Sequence, residues 1–190
     1  GDNSITTVQT YALSYDMALF SNFTYALGDP ENGDQFEQRD DRTVTGVNLE
    51  HTRLASWAGK SVENVFGFEL RSDWIDNGLH ATRERHRPST TREDDISQQG
   101  GAPYVENRVR WNNWLRTIGG LRADVYRVDV KSDNPLNSGR RSDALVSPKL
   151  SAVFGPWQRT EIYANFGGGF HSNDARGATI TVNPSTGDPP

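Results

Sequence analysis

Apolar and polar residues alternate with period two along most of this chain, and helical spacing of apolar residues is nearly absent. Period two marks strands with one apolar and one polar face. Seven stretches carry it. In residues 5–27, Tyr11, Leu13, Tyr15, Met17, Leu19, Phe23, Tyr25 and Leu27 hold odd positions against Ser14, Asp16, Asn22 and Thr24. Residues 36–54 set Val47 and Leu49 against Arg42, Asn48 and Glu50. Residues 62–75 set Phe66, Phe68, Leu70 and Trp74 against Glu69, Arg71 and Asp73. In residues 104–112, Val105, Val109 and Trp111 oppose Glu106, Arg108 and Arg110. Leu115, Leu121, Ala123 and Val125 oppose Arg116, Arg122 and Asp124 in residues 115–130. The pattern recurs in residues 144–154 (Val146, Leu150, Ala152, Phe154 against Ser147, Lys149, Ser151) and in residues 159–170 (Ile162, Ala164, Phe166, Phe170 against Arg159, Glu161, Tyr163, Asn165).

The connections alternate in length. Short ones fall at residues 55–61, 113–114 and 155–158, and long polar ones at 28–35, 76–103, 131–143 and from 172 onward. Outer-membrane barrels have short periplasmic turns and long extracellular loops, so the first strand is expected to run outward. Trp57, Trp111, Trp114 and Trp157 cluster at the short turns and Trp74 near the other end. Tryptophan favours the membrane–water interface, so these residues read as an aromatic girdle. Several of the strands exceed the five or six residues usual in soluble sheets. The expected fold is all-β: an antiparallel transmembrane β-barrel segment of about seven long strands, an open curved sheet when isolated. A soluble antiparallel β binding module with one wet face is the alternative.

Composition narrows this further. Hydrophobic residues make up 34%, the mean hydropathy is −0.74, and no apolar run approaches a spanning helix. A barrel remains compatible, because only every second residue of its strands meets lipid. A net charge of −5 argues against nucleic-acid partners. There is no cysteine, hence no disulfide or thiolate metal site. No leader pattern opens the sequence, and residues 186–190 read as part of an open loop.

Candidate chemistry is sparse. Gly167-Gly168-Gly169 lacks the Lys-Ser or Lys-Thr of a phosphate loop and reads as a strand bend. His51, His80, His86 and His171 lack the spacing of a metal site. Arg83, Arg85 and Arg87 form a basic loop able to meet an anionic ligand. Self-pairing with nearby carboxylates, or contact with lipopolysaccharide, is the plainer reading. Residues 29–34 read as a turn rather than a calcium loop. Glu69, Asp73, Glu106, Asp124 and Glu161 leave an outer-membrane enzyme barrel as a third class, but Arg71, Arg108, Arg110 and Arg122 on the same face account for them by charge pairing. No metal or cofactor site and no catalytic residue is expected.

Several motifs carry a resemblance. They are Leu19-Phe20-Ser21-Asn22-Phe23-Thr24-Tyr25, Trp114-Leu115-Arg116-Thr117, Gly120-Leu121-Arg122-Ala123-Asp124, Ser147-Pro148-Lys149-Leu150 and Phe154-Gly155-Pro156-Trp157. Glu161-Ile162-Tyr163-Ala164-Asn165-Phe166-Gly167 and Gly169-Phe170-His171-Ser172-Asn173-Asp174-Ala175-Arg176-Gly177 extend it. Together they resemble the barrel of TonB-dependent outer-membrane receptors of the siderophore and cobalamin type. Gly168 departs from the family, whose members often carry a larger residue there. The resemblance implies a wall segment of a barrel of about 22 strands with a plugged lumen. It makes residues 1–190 a partial barrel domain without plug, TonB box or closing strand. It implies active import of a scarce, bulky nutrient: an iron–siderophore first, haem, cobalamin or a glycan otherwise. The implied partners are the receptor's own plug, the TonB complex acting through it, a metal chelate or other small nutrient as ligand, and outer-membrane lipids with lipopolysaccharide. Among outer-loop residues, Arg83, Arg85, Arg87 and His171 are the ligand-contact candidates.

Overall fold

The computed structural model describes residues 3–169 and 175–189. Seven strands are hydrogen-bonded in chain order: β1 (Ser4–Ser21), β2 (Phe36–Trp57), β3 (Lys60–Arg83), β4 (His86–Arg110), β5 (Leu115–Ser132), β6 (Gly139–Trp157) and β7 (Thr160–Gly167). Every neighbouring pair is antiparallel, and the sheet curls into a half-barrel.

Strand length departs most from expectation on β3 and β4. Residues 76–103, read as a long loop, are the outer parts of these strands, joined by a tight turn at Glu84 and Arg85, both at positive φ. Backbone ladders need no apolar side chains, so a hairpin wet on both faces lacks the alternation that reveals a strand. At the other extreme, β1 stops at Ser21, because residues 22–35 fold into a loop of their own.

Charge contacts that skip a strand identify the concave face. Tyr104 on β4 donates its hydroxyl to Glu50 on β2 at 3.0 Å. Arg122 on β5 donates to Glu69 on β3 at 2.7 Å, Lys149 on β6 to Glu106 on β4 at 2.9 Å, and Arg116 on β5 to Glu161 on β7 at 2.7 Å. Alternate strands lie nearly 10 Å apart. Side chains bridge that gap only where curvature makes them converge, so these residues point inward.

The cross-strand register then assigns every other residue. Outward positions include Val47, Leu49, Phe66, Phe68, Leu70, Val105, Leu121, Val125, Val146, Leu150, Ile162 and Phe166, which are 37–69% exposed. A continuous apolar surface of this kind does not face water in a soluble sheet. β2 to β7 follow the expected alternation. β1 inverts it, because Tyr11 pairs with Gly46 and Leu13 with Val44, which places its bulky odd residues on the inward face. The outward face of β1 carries Thr6, Val8, Thr10, Ala12 and Ser14 instead.

Trp57 and Trp157 close β2 and β6, while Trp111 and Trp114 flank the β4–β5 turn at the same end. The rings of Trp57 and Trp111 meet edge to face at 6.0 Å, and the Trp111 indole donates to Thr117 Oγ1 at 2.8 Å. Trp74 lies outward near the opposite end, registered with Ser97 and, through it, Asp129.

Candidate functional site: the inward face and the outer loops

The inward face is a ladder of ion pairs. Arg122 bridges Glu69 and Asp124, the latter at 2.9 Å. Arg71 grips Asp73 with two nitrogens at 2.7 and 2.8 Å. Arg108 spans Glu63 at 2.7 Å and Glu106 at 2.5 Å. Each carboxylate raised above as an acid/base candidate therefore accepts hydrogen bonds from Arg, Lys or Tyr donors, including the Tyr163 hydroxyl on Glu161 at 2.5 Å. Charge-assisted hydrogen bonds of this geometry are stronger than neutral ones. Among the described residues, no group of three or more His, Cys, Asp or Glu is disposed to hold a metal ion.

Small residues make room for the bridges. Gly67 lies between Glu50 and Tyr104, and the Tyr104 ring covers it so closely that a Cβ there would sit 1.9 Å from Cζ. Tyr11 covers Gly46 in the same way, at 2.2 Å from an added Cβ. An aromatic ring laid over a glycine shields backbone that the glycine leaves bare. A depression of about 280 Å³ opens between these features, lined by Tyr11, Asn48, Glu69, Arg71, Asp73, Gln98, Arg122, Asp124 and Tyr126. It offers hydrogen-bond donors and acceptors and two phenol rings.

The basic hairpin tip is engaged with its neighbours. Arg83 donates to Asn32 at 3.1 Å, Arg85 lies 5.1 Å above the Phe20 ring, and Arg87 forks onto Glu37 at 2.5 and 2.8 Å. Glu37 is buried, and the Arg87 fork holds its carboxyl below the ordinary carboxylate value despite desolvation. These arginines thus fasten the β3–β4 hairpin to β1, β2 and their loop. His171 lies outside the described residues. His51 contacts Thr6 Oγ1 at 2.8 Å on the outward side, and His80 contacts Thr90 at 3.2 Å.

Residues 29–34 form the expected turn. Asp29 accepts from the backbone of Glu31 and Asn32 at 3.1 and 2.9 Å, and Asp34 from that of Gly28 and Asp29 at 2.9 and 2.7 Å. Thr24 adds its hydroxyl to Asp34 at 2.6 Å. The Gly28 amide, then the Thr24 hydroxyl and the Asp29 amide, hold the Asp34 carboxyl below its ordinary value. A depressed pKa means that the loop favours the ionised form. Its contribution is complete above the ordinary carboxylate value and is lost as pH falls through the depressed one. A spin label at Glu31 should accordingly gain mobility on acidification from about pH 6 to about pH 3. Asp34→Asn should show that mobility already at neutral pH, and an unchanged spectrum would contradict the account.

A curled antiparallel sheet with an apolar exterior, a charged interior and tryptophans at both ends is the wall of a membrane β-barrel. The sequence matches the family described as TonB dependent receptor-like, beta-barrel, over residues 1–190, and the chain belongs to that family. No curated protein shows a significant sequence match. The solved ferric citrate transporter FecA, in its unliganded form, is similar at a TM-score of 0.66 and 14% identity, over 87% of this chain and 24% of that one. The ferric-catecholate import receptor Fiu of E. coli K12, in an open form, is similar at 0.62 and 12% identity, over 88% and 33%. At such identities the likeness concerns the fold. The chain spans a quarter to a third of their length.

Proposed function

We propose that this chain is part of the wall of an outer-membrane active transporter that imports a scarce, bulky nutrient, most simply an iron–siderophore chelate. The observation that carries the reading is the division of the sheet: a continuous apolar outer face and an inward face of paired charges. Such a wall passes a hydrated, polar solute while standing in lipid. The family, and the iron-chelate cargo named for both similar structures, support the choice of ligand class. In this reading a plug fills the lumen and is pulled by the TonB complex. Lipid and lipopolysaccharide surround the outer face, with the tryptophans at its two borders. Arg83, Arg85 and Arg87 then hold the outer loops in place for the ligand, with Arg85 the most available for direct contact. The family supports transport rather than catalysis as the role of this wall.

The test is uptake by the full-length receptor in a host lacking its own ferric-chelate receptors. Accumulation of labelled ferric citrate or a ferric catecholate, abolished when TonB is deleted, is the expected result. Uptake independent of TonB, or none with either class of chelate, would overturn the assignment.

A further inference from the structure

The outward face is not apolar throughout. At the end that bears the Trp57 and Trp157 turns, Arg53, Asn64, Asn107 and Gly119 form one outward row across β2 to β5. Asn107 Nδ2 donates to Asn64 Oδ1 at 2.8 Å. Among the described residues no other hydrogen bond occupies the Asn64 side chain, and no hydrogen bond or ion pair occupies that of Arg53, which is exposed. At Gly119 an added Cβ would meet nothing within 4 Å, so the row ends in an open notch.

This row lies within the apolar band, not beyond its edge. Phe66, Val105 and Leu121 form the next outward row on the mid-membrane side, and Val62 and Val109 the next on the other, followed by Trp57. Arg53 is four residues from Trp57, roughly 10 Å along the membrane normal for a strand tilted about 40°. Tryptophan rings mark the headgroup level. An arginine stem can reach back to that level, but an asparagine amide is too short to do so. Its free N–H groups need a partner in whatever lies against the wall. The row offers donors: five N–H from Arg53 and those left on Asn64. Among the described residues, no outward side chain at this end is a carboxylate, and Lys60, registered with Trp57, adds a second cation. The outward row at the opposite end is acidic, with Asp16, Asp41, Asp76 and Asp95 side by side. An anion therefore belongs at the tryptophan end.

We propose that Arg53, Asn64, Asn107 and the Gly119 notch seat the phosphate of one diacyl glycerophospholipid of the periplasmic leaflet. Short turns face the periplasm in outer-membrane barrels, which places the seat in that leaflet. The guanidinium forks onto the phosphate oxygens, and the Asn64 amide adds a neutral donor beside it. The acyl chains run along Phe66, Val105 and Leu121, and Trp57 borders the headgroup. Lipid A, the other phosphate-bearing lipid of this membrane, belongs to the opposite leaflet, beside the acidic row. The seat does not depend on what the receptor imports.

The experiment titrates full-length receptor, purified in a mild detergent, with dioleoyl phosphatidylglycerol and reads the bound lipid by native mass spectrometry. Arg53→Gln should weaken retention of the tightest-bound lipid about tenfold, through loss of its charged hydrogen bonds. Arg127→Gln removes the same charge from the outward face toward the other end and should leave retention unchanged. Gly119→Leu guards against a folding defect. It keeps every charge, its Cβ meets no neighbour, and its side chain should fill the notch and weaken retention as well. Resistance of each variant to unfolding in cold detergent confirms an intact barrel. Unchanged retention in Arg53→Gln or in Gly119→Leu overturns the proposal. Equal loss in Arg127→Gln also overturns it, since attraction by net charge alone would then be the cause. Tighter retention of lipid A than of phosphatidylglycerol would overturn it too, by removing the choice of leaflet.

Discussion

Leu121→Arg should cost the folded barrel about 2–4 kcal/mol, the penalty for a cation on the lipid face near mid-membrane. Leu145→Arg should cost less than about 1 kcal/mol. Exposure alone does not separate these sites, since Leu121 is 51% exposed and Leu145 41%. The difference comes from the face. Leu121 pairs with Val105 and Pro148 on the outer side, where an arginine has no counter-charge and no water. Leu145 pairs with Asp124 on the inner side, within the ion-pair ladder. Val146, next in the chain and 56% exposed, points outward. Val146→Arg should therefore fall between the two, because it sits nearer the outer border of the apolar band. Urea titration of full-length receptor folded into lipid vesicles measures all three. A larger cost at Leu145 than at Val146 would mean that the two faces have been exchanged.

Gly67→Ala should destabilise the same barrel by about 1–3 kcal/mol, a large effect for one methyl group. The added Cβ would fall within the Tyr104 ring, 1.9 Å from Cζ. Relief requires the ring to swing away, which uncovers the strand and breaks the 3.0 Å bond to Glu50. It also removes the face that Arg122 overlooks at 6.0 Å. The cost should depend on the ring. In a Tyr104→Ala background, Gly67→Ala should be nearly neutral or slightly stabilising, since alanine suits a strand better than glycine once the space is free. A double-mutant cycle therefore carries a large coupling energy. Additive costs would show that Tyr104 does not lie over Gly67.

Much of this architecture was legible in the residues. Alternation on β2 to β7, the short connections at one end and the tryptophans beside them each follow from a local rule, and the structure keeps them. The basic tip was legible as charge but not as contact: the partners of Arg83 and Arg87 are 51 and 50 residues away. Asn137, whose side chain bonds the backbone of Thr181 and Val182, carried no signal, because one asparagine after a proline reads as an ordinary turn.

By itself the sequence determined that the chain forms antiparallel strands with two chemically distinct faces, because period-two patterning is a property of neighbouring residues. The motifs that resemble the family were likewise present in the linear order. Only the tertiary structure decided which face is concave. Curvature belongs to the whole sheet, and on β1 it turns the bulky stripe of Tyr11, Leu13 and Tyr15 inward, against the plain reading of its pattern. Tertiary structure also decided that residues 76–103 are strand, since backbone pairing asks nothing of side-chain polarity. It alone brought Asn137 to Val182, a contact that exists only once the loop after β7 folds back over β5 and β6.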